Sequence, residues 1–219
     1  MKIFDAGSGR GGLIKKLYNS EDEFYGVDVS PVFVADARQL NNFSNCHFEV
    51  KKVEEADFPD NFFDQIHCND VLEHVDDFDK SINNLIRMLK VGGEMYLSIP
   101  HPVSQKIISW IDPQDPIMRG HVRIINPIFL KLILKNNNFK IIYYKKRMFL
   151  GALQQIYRAW KKIPMEEQSG RFLIEKPNLI TVSYGIYQKV ANNPLVKFVD
   201  ALFAQIMPRN YFIKAVKIK

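Results

Sequence analysis

A glycine-rich turn near the start of the chain constrains its fold more than any other feature. Residues 3–12 read IFDAGSGRGG, so a short apolar run ends in Asp5 and glycines follow at positions 7, 9, 11 and 12. Glycine lets the backbone approach a ligand where a Cβ atom would block it. The N–H groups that start the next helix then face that ligand, as in nucleotide-binding turns of α/β proteins. The segment therefore predicts a strand–turn–helix unit that binds a cofactor.

The glycines alone do not identify that cofactor. Gly7, Gly9 and Gly12 also satisfy the dinucleotide pattern G-x-G-x-x-G. About twenty residues on, the segment FYGVD at 24–28 predicts a second strand that ends in Asp28, an acid suited to binding ribose hydroxyls. Because several nucleotide cofactors carry a ribose, a nicotinamide-dependent oxidoreductase stays open at this point.

Composition limits the class of protein. With 219 residues, of which 47% are hydrophobic, we expect one folded domain with room for an insertion. No apolar run approaches the ~18 residues of a spanning helix, and the N-terminus does not resemble a signal peptide. Cys46 and Cys68 lie in apolar runs and are expected to be buried thiols of a cytoplasmic protein. No metal-ligand spacing of Cys and His is present, so we expect no metal.

The charge is divided unevenly along the chain. Residues 1–100 contain 10 Lys and Arg against 18 Asp and Glu, whereas residues 101–219 contain 20 against 6. A strongly basic half suggests an anionic partner, such as a phosphate group, nucleic acid or a membrane surface. An ordinary solvated basic face would explain the same balance.

Strand-like and helix-like segments alternate, which predicts a parallel sheet with helices on both faces. Gly92 and Gly93 are expected to close the helix that precedes the fifth strand. The predicted strands are 2–6, 24–28, 46–50, 64–68, 94–99, 139–145 and 211–219, and the predicted helices are 11–19, 31–40, 78–89 and 127–135.

Two further segments complete a pattern: FDQIHCNDVLEHV at 63–75 and LKVGGEMYLSIP at 89–100. Together with the glycine turn and Asp5, they resemble the class I S-adenosylmethionine (SAM) dependent methyltransferases, particularly those acting on small molecules, lipids and glycans. The resemblance covers about the first 145 residues and a last strand at the C-terminus. It implies an α/β, doubly wound, Rossmann-like fold with a seven-stranded, mostly parallel sheet. The last strand is then expected to lie antiparallel between its neighbours.

The resemblance also implies the contacts with the cofactor SAM. Asp5 is expected to meet the ammonium group, directly or through water, and Asp28 to bind the ribose hydroxyls. The other expected contacts are the backbone of Gly7, Gly9 and Gly11 at the methionine portion, an apolar wall for adenine at Val29, adenine recognition at Val53 and Glu54, and Asn69 at the methionine end.

The chain departs from the family pattern at two places. Relatives often have an acid after the third strand that accepts from the adenine amino group, but Lys52 stands there. The carboxylate of Glu54 or the backbone of Val53 is therefore expected to recognise adenine. Relatives also usually carry a helix before the first strand, whereas this sequence begins on the strand.

Two histidines are candidates for a general base if the acceptor is a hydroxyl group. His101 lies in IPHP at 99–102 and His121 in GHVR at 120–123, both after the fifth strand. Ligand sites of such sheets open at the carboxyl ends of the strands. The alternative is that either histidine braces a loop.

The chain is expected to divide into a SAM-binding core at 1–147, a helical lid or insertion at 148–209 and the last core strand at 210–219. Apolar residues recur at helical spacing within 150–163 and again within 195–207. These helices could cover an apolar acceptor pocket, touch a lipid surface, or pack against the sheet or another subunit.

The sequence therefore predicts a SAM-dependent methyltransferase that acts on a small-molecule, lipid-linked or glycan acceptor, preferably on oxygen, with a possible peripheral membrane contact. The rivals are a nicotinamide-dependent oxidoreductase, a nucleic-acid methyltransferase and a non-catalytic protein that keeps the fold. Against the nucleic-acid enzyme, residues 69–72 read NDVL and lack the prolines and aromatic residue expected after the fourth strand. The oligomeric state is left open.

Overall fold

The computed structural model describes residues 1–118, 120–147, 149–160, 193–205 and 208–219. Its strands are β1 (Lys2–Ala6), β2 (Glu23–Asp28), β3 (Cys46–Val50), β4 (Phe63–Asn69), β5 (Leu89–Pro100), β6 (Phe139–Arg147) and β7 (Asn210–Lys217). Its helices are α1 (Gly12–Leu17), α2 (Pro31–Leu40), α3 (Phe78–Met88), α4 (Pro102–Ile111), α5 (Asp115–Met118), α6 (Pro127–Asn136), α7 (Phe149–Trp160) and α8 (Pro194–Phe203), and a 3₁₀ turn spans Val53–Glu55.

The strands form one sheet in the order β3-β2-β1-β4-β5-β7-β6. β1 pairs in parallel with β2 and β4, and the pairs β2–β3 and β4–β5 are parallel as well. Two backbone hydrogen bonds show that β7 runs antiparallel to β6: Arg209 donates to Arg147 at 3.0 Å and Ile218 donates to Asn138 at 2.8 Å. The predicted seven-stranded, doubly wound α/β fold is thus confirmed.

Side-chain caps explain where several helices begin. The Ser30 hydroxyl accepts from the Phe33 amide at 3.3 Å, and a proline follows at the first helical position. The Asn126 side chain accepts from the Ile128 amide at 2.9 Å, again with proline next. A side-chain acceptor satisfies an amide that has no partner within the helix, and proline has the φ angle that a first turn needs. Both predicted helix starts are confirmed.

The core fixes the two strands that carry the glycine turn. Ile3 of β1, Phe24 of β2 and Phe48 of β3 form one buried cluster with Ile14, Val34 and Ala37 of α1 and α2. On the opposite side of β1, the Phe4 ring is fully buried and stacks on Phe63 with 4.9 Å between centroids. β1 is thus packed on both faces, so the turn that follows it starts from a rigid position.

The junction between α3 and β5 corrects the predicted boundary. α3 ends at Met88 and β5 begins at Leu89, so Gly92 and Gly93 lie inside the strand and do not close the helix. The helix end is satisfied by a distant side chain instead: the Lys217 amine donates to the carbonyls of Ile86 at 2.9 Å and Leu89 at 2.8 Å. The added residues of β5 sit at a register shift opposite β4.

The described chain divides into two compact units. The first comprises residues 1–99, 125–144 and 212–219, and the second residues 100–124 and 145–211. The first unit holds the glycine turn and most of the sheet. Within the second, α7 packs against α4 and α8. The division into a core at 1–147 and a lid at 148–209 remains a prediction, and residues 161–192 and 206–207 of that lid lie outside the described residues.

The two cysteines are free thiols, as predicted, but they differ in burial. Cys68 in β4 is fully buried, whereas Cys46 is half-buried because β3 is an edge strand. In the described parts of the chain, no helix has both the length and the apolar character to cross a membrane.

Candidate cofactor site

The glycine turn is tied to the end of β2 by its own backbone and by one carboxylate. The amides of Gly7 and Ser8 both donate to the Val27 carbonyl, at 2.9 and 2.8 Å. Asp28 Oδ2 accepts from the Gly9 amide at 2.8 Å, and its Oδ1 accepts from the Ser30 amide at 2.9 Å. A carboxylate offers about four acceptor positions. Asp28 therefore keeps acceptor capacity for a diol while it holds the turn.

The three predicted glycines have different surroundings. At Gly7 a Cβ atom would lie 2.3 Å from Val71 Cγ2, and at Gly11 it would lie 2.3 Å from Asn41 Nδ2. At Gly9, where φ is +51°, a Cβ atom would meet nothing within 4 Å. Gly7 and Gly11 are thus needed for internal packing. Gly9 opens onto free space, as a backbone cradle for a ligand requires.

Asp5 is a buried acid with an unusual protonation. It lies in β1 and is 4% exposed, and no hydrogen bond to its carboxyl group occurs among the described residues. Burial first, and the nearby charge of Asp28 second, raise the pKa of Asp5 to about 8. A buried carboxyl group without a cationic neighbour has the chemistry to receive a positively charged ligand group.

The three residues predicted to lie near adenine differ in how well their surroundings suit that role. Val29 follows Asp28 and is 66% exposed, so it offers an apolar surface next to that carboxylate. Val53 is buried in the 3₁₀ turn, with its carbonyl accepting from the Ala56 amide. Glu54 is also buried: its carboxylate accepts from the Asp76 amide at 3.3 Å and from the Ser81 hydroxyl at 3.4 Å. These internal bonds argue against the predicted role of Glu54 in adenine recognition.

The end of β4 contributes one expected residue and one that the sequence did not single out. Asn69 is exposed at the carboxyl end of the strand, as predicted. Asp70, which follows it, has a left-handed backbone with φ of +56°. It accepts from the Ser98 hydroxyl at 2.8 Å, and its amide donates to the Ser98 carbonyl at 3.0 Å. Asp and Asn adopt this conformation more readily than other non-glycine residues, and positions held in it cluster at turns and at active sites. The Asn-Asp pair after a strand is the signal that could have indicated it.

His67 lies next to Asp5 in the sheet. Strand register pairs it with Asp5 of β1 on one side and with Tyr96 of β5 on the other. Its ring stacks on Tyr96 with 4.5 Å between centroids and an angle of 2°. The side chain is 7% exposed, and burial lowers its pKa to about 4. His67 is therefore a neutral core residue beside the buried acid.

The two candidate base histidines both lie in the second unit and share one hydrogen-bonded neighbour, Gln105. His101 is buried at the start of α4 against the Tyr211 ring, and its amide donates to the Arg209 carbonyl at 2.7 Å. Burial, with a smaller contribution from the Lys146 charge, lowers the pKa of His101. Gln105 connects the pair, because its amide donates to the His101 carbonyl and its side-chain nitrogen lies 2.9 Å from His121 Nδ1.

In the first unit, the structure brings Asp5, Gly9 and Asp28 together at the carboxyl ends of β1 and β2. An acid before the glycine turn, a second acid at the end of β2 and the doubly wound sheet are features shared with the class I SAM-dependent methyltransferases. Residues 1–119 match the family model described as a methyltransferase domain. The chain belongs to this family, and membership excludes the nicotinamide-dependent oxidoreductase.

The chain is similar to the uncharacterized methyltransferase YcgJ of Bacillus subtilis. The two are 27% identical over 128 residues, which are 57% of this chain and 47% of that protein. The crystal structure of YcgJ matches this fold with a TM-score of 0.61 and 18% identity, covering 100% of this chain and 92% of that chain.

Two further relatives are named for quinone biosynthesis. The ubiquinone/menaquinone biosynthesis C-methyltransferase UbiE of Vibrio cholerae is 29% identical over 119 residues, 51% of this chain and 46% of that protein. The ubiquinone biosynthesis O-methyltransferase of Xanthomonas oryzae is 31% identical over 100 residues, 44% of this chain and 42% of that protein. The chain thus spans about half the length of the curated relatives it matches.

Proposed function

We propose that the protein transfers a methyl group from SAM to a small-molecule, lipid-linked or glycan acceptor, preferably to an oxygen atom. The observation that carries this proposal is the convergence of the buried Asp5, the open backbone at Gly9 and the partly satisfied Asp28. These groups match the ammonium, methionine and ribose portions of one ligand.

The roles of the residues follow from their chemistry. Asp5 would hold the ammonium group and Asp28 the ribose hydroxyls, while Val29 offers an apolar surface to adenine. Asn69 stays a candidate for the methionine end, and adenine recognition rests on the Val53 backbone. When bound, SAM supplies a methyl group activated by its sulfonium, so the protein mainly has to bind, orient and exclude water.

An oxygen acceptor must lose a proton, and the histidines of the second unit are the proposed bases. The lowered pKa of His101 keeps its imidazole neutral at pH 7, the form that accepts a proton. His121 is the alternative base, with Nδ1 beside Gln105. The residue that takes this proton is expected to affect the transfer rate and not the affinity for SAM.

Two observations support a lipid-type acceptor and a peripheral membrane contact on the cytoplasmic side. UbiE and the Xanthomonas enzyme carry names from quinone biosynthesis, one as a C- and one as an O-methyltransferase. In the second unit, Trp110 of α4, Trp160 of α7 and Phe198 of α8 are 85%, 62% and 65% exposed. Exposed aromatic side chains on helices favour contact with lipid or with a lipid-like acceptor.

Titration calorimetry with SAM and with S-adenosylhomocysteine tests the cofactor. If neither binds at millimolar concentration, the proposal is overturned. The acceptor is then sought by radiolabelled methyl transfer into fractionated lipids, glycans and polar metabolites of the source cell. The Asp28→Ala variant is the matched negative control, because transfer that depends on the proposed site must weaken with it.

A further inference from the structure

Helix α6, in the first unit, is apolar on both of its sides. Leu130 and Leu134 face inward and are fully buried. At 100° per residue the opposite side of the helix carries Ile128, Phe129 and Leu132, which are 62%, 53% and 51% exposed. A helix at an ordinary protein surface has polar residues on that side. The outward face of α6 therefore has the composition of a contact surface.

Lysines lie on α6 and on β6, the strand that follows it. Lys135 of α6 and Lys140 of β6 are exposed, and the Lys131 amine lies 3.9 Å above the Tyr144 ring. The sequence around them contains no acid over fifty residues: residues 116–165 have no Asp or Glu and eleven Lys or Arg. One flank is different, because the Phe129 ring contacts Phe78 of α3, which stands between the exposed Asp77 and Asp79. The lysines of α6 and β6 nevertheless place cations beside the apolar residues, and this combination complements a surface that is apolar inside and anionic outside.

We infer that the outward face of α6 docks on a membrane that contains anionic lipid. Ile128, Phe129 and Leu132 then enter the boundary between headgroups and acyl chains, and the lysines lie at the level of the phosphates. Nucleic acid would leave the exposed apolar centre without a partner.

This surface deepens the proposed function and rests on it for its purpose, because a methyltransferase held at the bilayer meets a lipid-linked acceptor there. It lies in the first unit, whereas the exposed aromatic residues named under the proposed function belong to the second unit. Vesicle binding measured without SAM tests it independently of methyl transfer. If the protein does not bind vesicles, the proposed SAM site is unaffected. If it does not bind SAM, the vesicle-binding result is unaffected.

The first experiment is co-sedimentation with vesicles of phosphatidylcholine, with and without phosphatidylglycerol. Ile128→Ser with Leu132→Ser is expected to lower binding to the anionic vesicles about tenfold, and neutral vesicles are expected to bind weakly. Phe129 is left in place because its ring contacts Phe78 of α3, at 6.4 Å between centroids. The matched control is Val50→Ser with Val91→Ser, two residues of the same unit that are 49% and 59% exposed.

The cationic border is tested by reversing charge. Lys135→Glu with Lys140→Glu is expected to reduce binding about tenfold as well, whereas Lys15→Glu with Lys16→Glu, on the exposed side of α1, should leave it unchanged. Circular dichroism and thermal unfolding show that each variant is folded.

Insertion is measured with a polarity-sensitive dye on Leu132→Cys in a Cys46→Ser background, because Cys68 is fully buried and does not react. The emission should shift to the blue with anionic vesicles, and the same dye on Val91→Cys should not respond.

The inference is overturned if the wild-type protein stays in the supernatant, if the Ile128/Leu132 variant binds as well as its control, or if the dye on α6 does not shift. A dimer in sedimentation velocity that the same variant dissociates would assign the face to a second copy and would equally overturn it.

Discussion

Asp28 Oδ2 accepts a hydrogen bond from the Gly9 amide, with 2.8 Å between the two atoms. The carboxylate at the end of β2 thereby sets the position of the turn that follows β1. The residue proposed to bind the ribose is thus hydrogen-bonded to the backbone proposed to bind the methionine portion. A substitution at either Asp28 or Gly9 should therefore also displace the other residue.

Replacing Asp28 tests the ribose contact. We expect Asp28→Ala to weaken SAM binding by about 1–3 kcal/mol, because hydrogen bonds to a charged group are lost. Calorimetric titration measures this, with Asp57→Ala as the control since Asp57 pairs at the surface with Lys51 at 2.8 Å. Unchanged affinity in a folded Asp28→Ala variant would place the ribose elsewhere.

Gly9→Ala tests the backbone cradle. The new Cβ atom fills the space into which Gly9 opens, so affinity for SAM should fall at least about tenfold, at a cost in stability of roughly 1 kcal/mol from the positive φ. Gly92→Ala is a matched control because Gly92 also has a positive φ, +82°, and open space around it. Equal loss of SAM binding in both variants would assign the effect to backbone strain.

The raised pKa of Asp5 leads us to expect that SAM binding releases a proton. Its pKa of about 8 keeps the free carboxyl group protonated at pH 6.5, and an ammonium ligand favours the carboxylate. Calorimetry at pH 6.5 in buffers of different ionisation enthalpy should show about one proton released by the wild type and none by Asp5→Asn. The same count in both proteins would show that another group titrates.

The raised pKa of Asp5 also determines how the stability of the ligand-free protein changes with pH. The folded pKa lies above the ordinary value of 3.8, so the stabilising contribution of the protonated Asp5 is complete below pH 3.8 and is lost as pH rises through 8. At pH 8, Asp5→Asn should raise the free energy of unfolding by up to about 5 kcal/mol. Chemical denaturation measures this difference, and a less stable variant at pH 8 would contradict it.

His67 predicts the opposite dependence on pH. Its folded pKa of about 4 lies below 6.5, so its neutral ring contributes full stability above pH 6.5, and this is lost as pH falls toward 4. His67→Phe keeps a ring against Tyr96 and cannot titrate. Relative to this variant, the wild type should lose up to roughly 3 kcal/mol between pH 6.5 and 4. His47→Phe, on the exposed edge strand, should leave the wild-type slope intact.

The proposed bases are separated by rate measurements with the acceptor found in the radiolabel screen. The histidine that takes the proton should lower kcat about 100-fold or more when changed to Gln, with SAM affinity unchanged. The variants are His101→Gln and His121→Gln, with His47→Gln as control. Full activity in both variants would remove histidine from the proton transfer.

The alternation of strands and helices could be predicted from local signals, whereas the seven-stranded sheet with an antiparallel last strand was implied by the family resemblance. Ser30 with Pro31 and Asn126 with Pro127 mark helix starts, and the strands follow from short apolar runs. The predicted α3–β5 boundary was wrong because Lys217, 128 residues beyond Leu89, caps the helix.

The glycines look alike in the sequence, yet Val71 and Asn41 make Gly7 and Gly11 packing residues and leave Gly9 open. Glu54 is adjacent to the expected adenine position, but its bonds to Asp76 and Ser81 depend on a loop that only the folded chain brings near.

The position of β7 between β5 and β6 has a consequence for biosynthesis. About 110 residues separate the end of β5 at Pro100 from the start of β7 at Asn210, and at a translation rate of ~5–20 residues per second they take roughly 5–20 s to appear. During that interval the nascent sheet exposes the edges of both neighbours, with unpaired amides and carbonyls. The pairing of β7 with β5 and β6 is thus the last step in forming the sheet, and until then both strand edges are open to pairing with another chain.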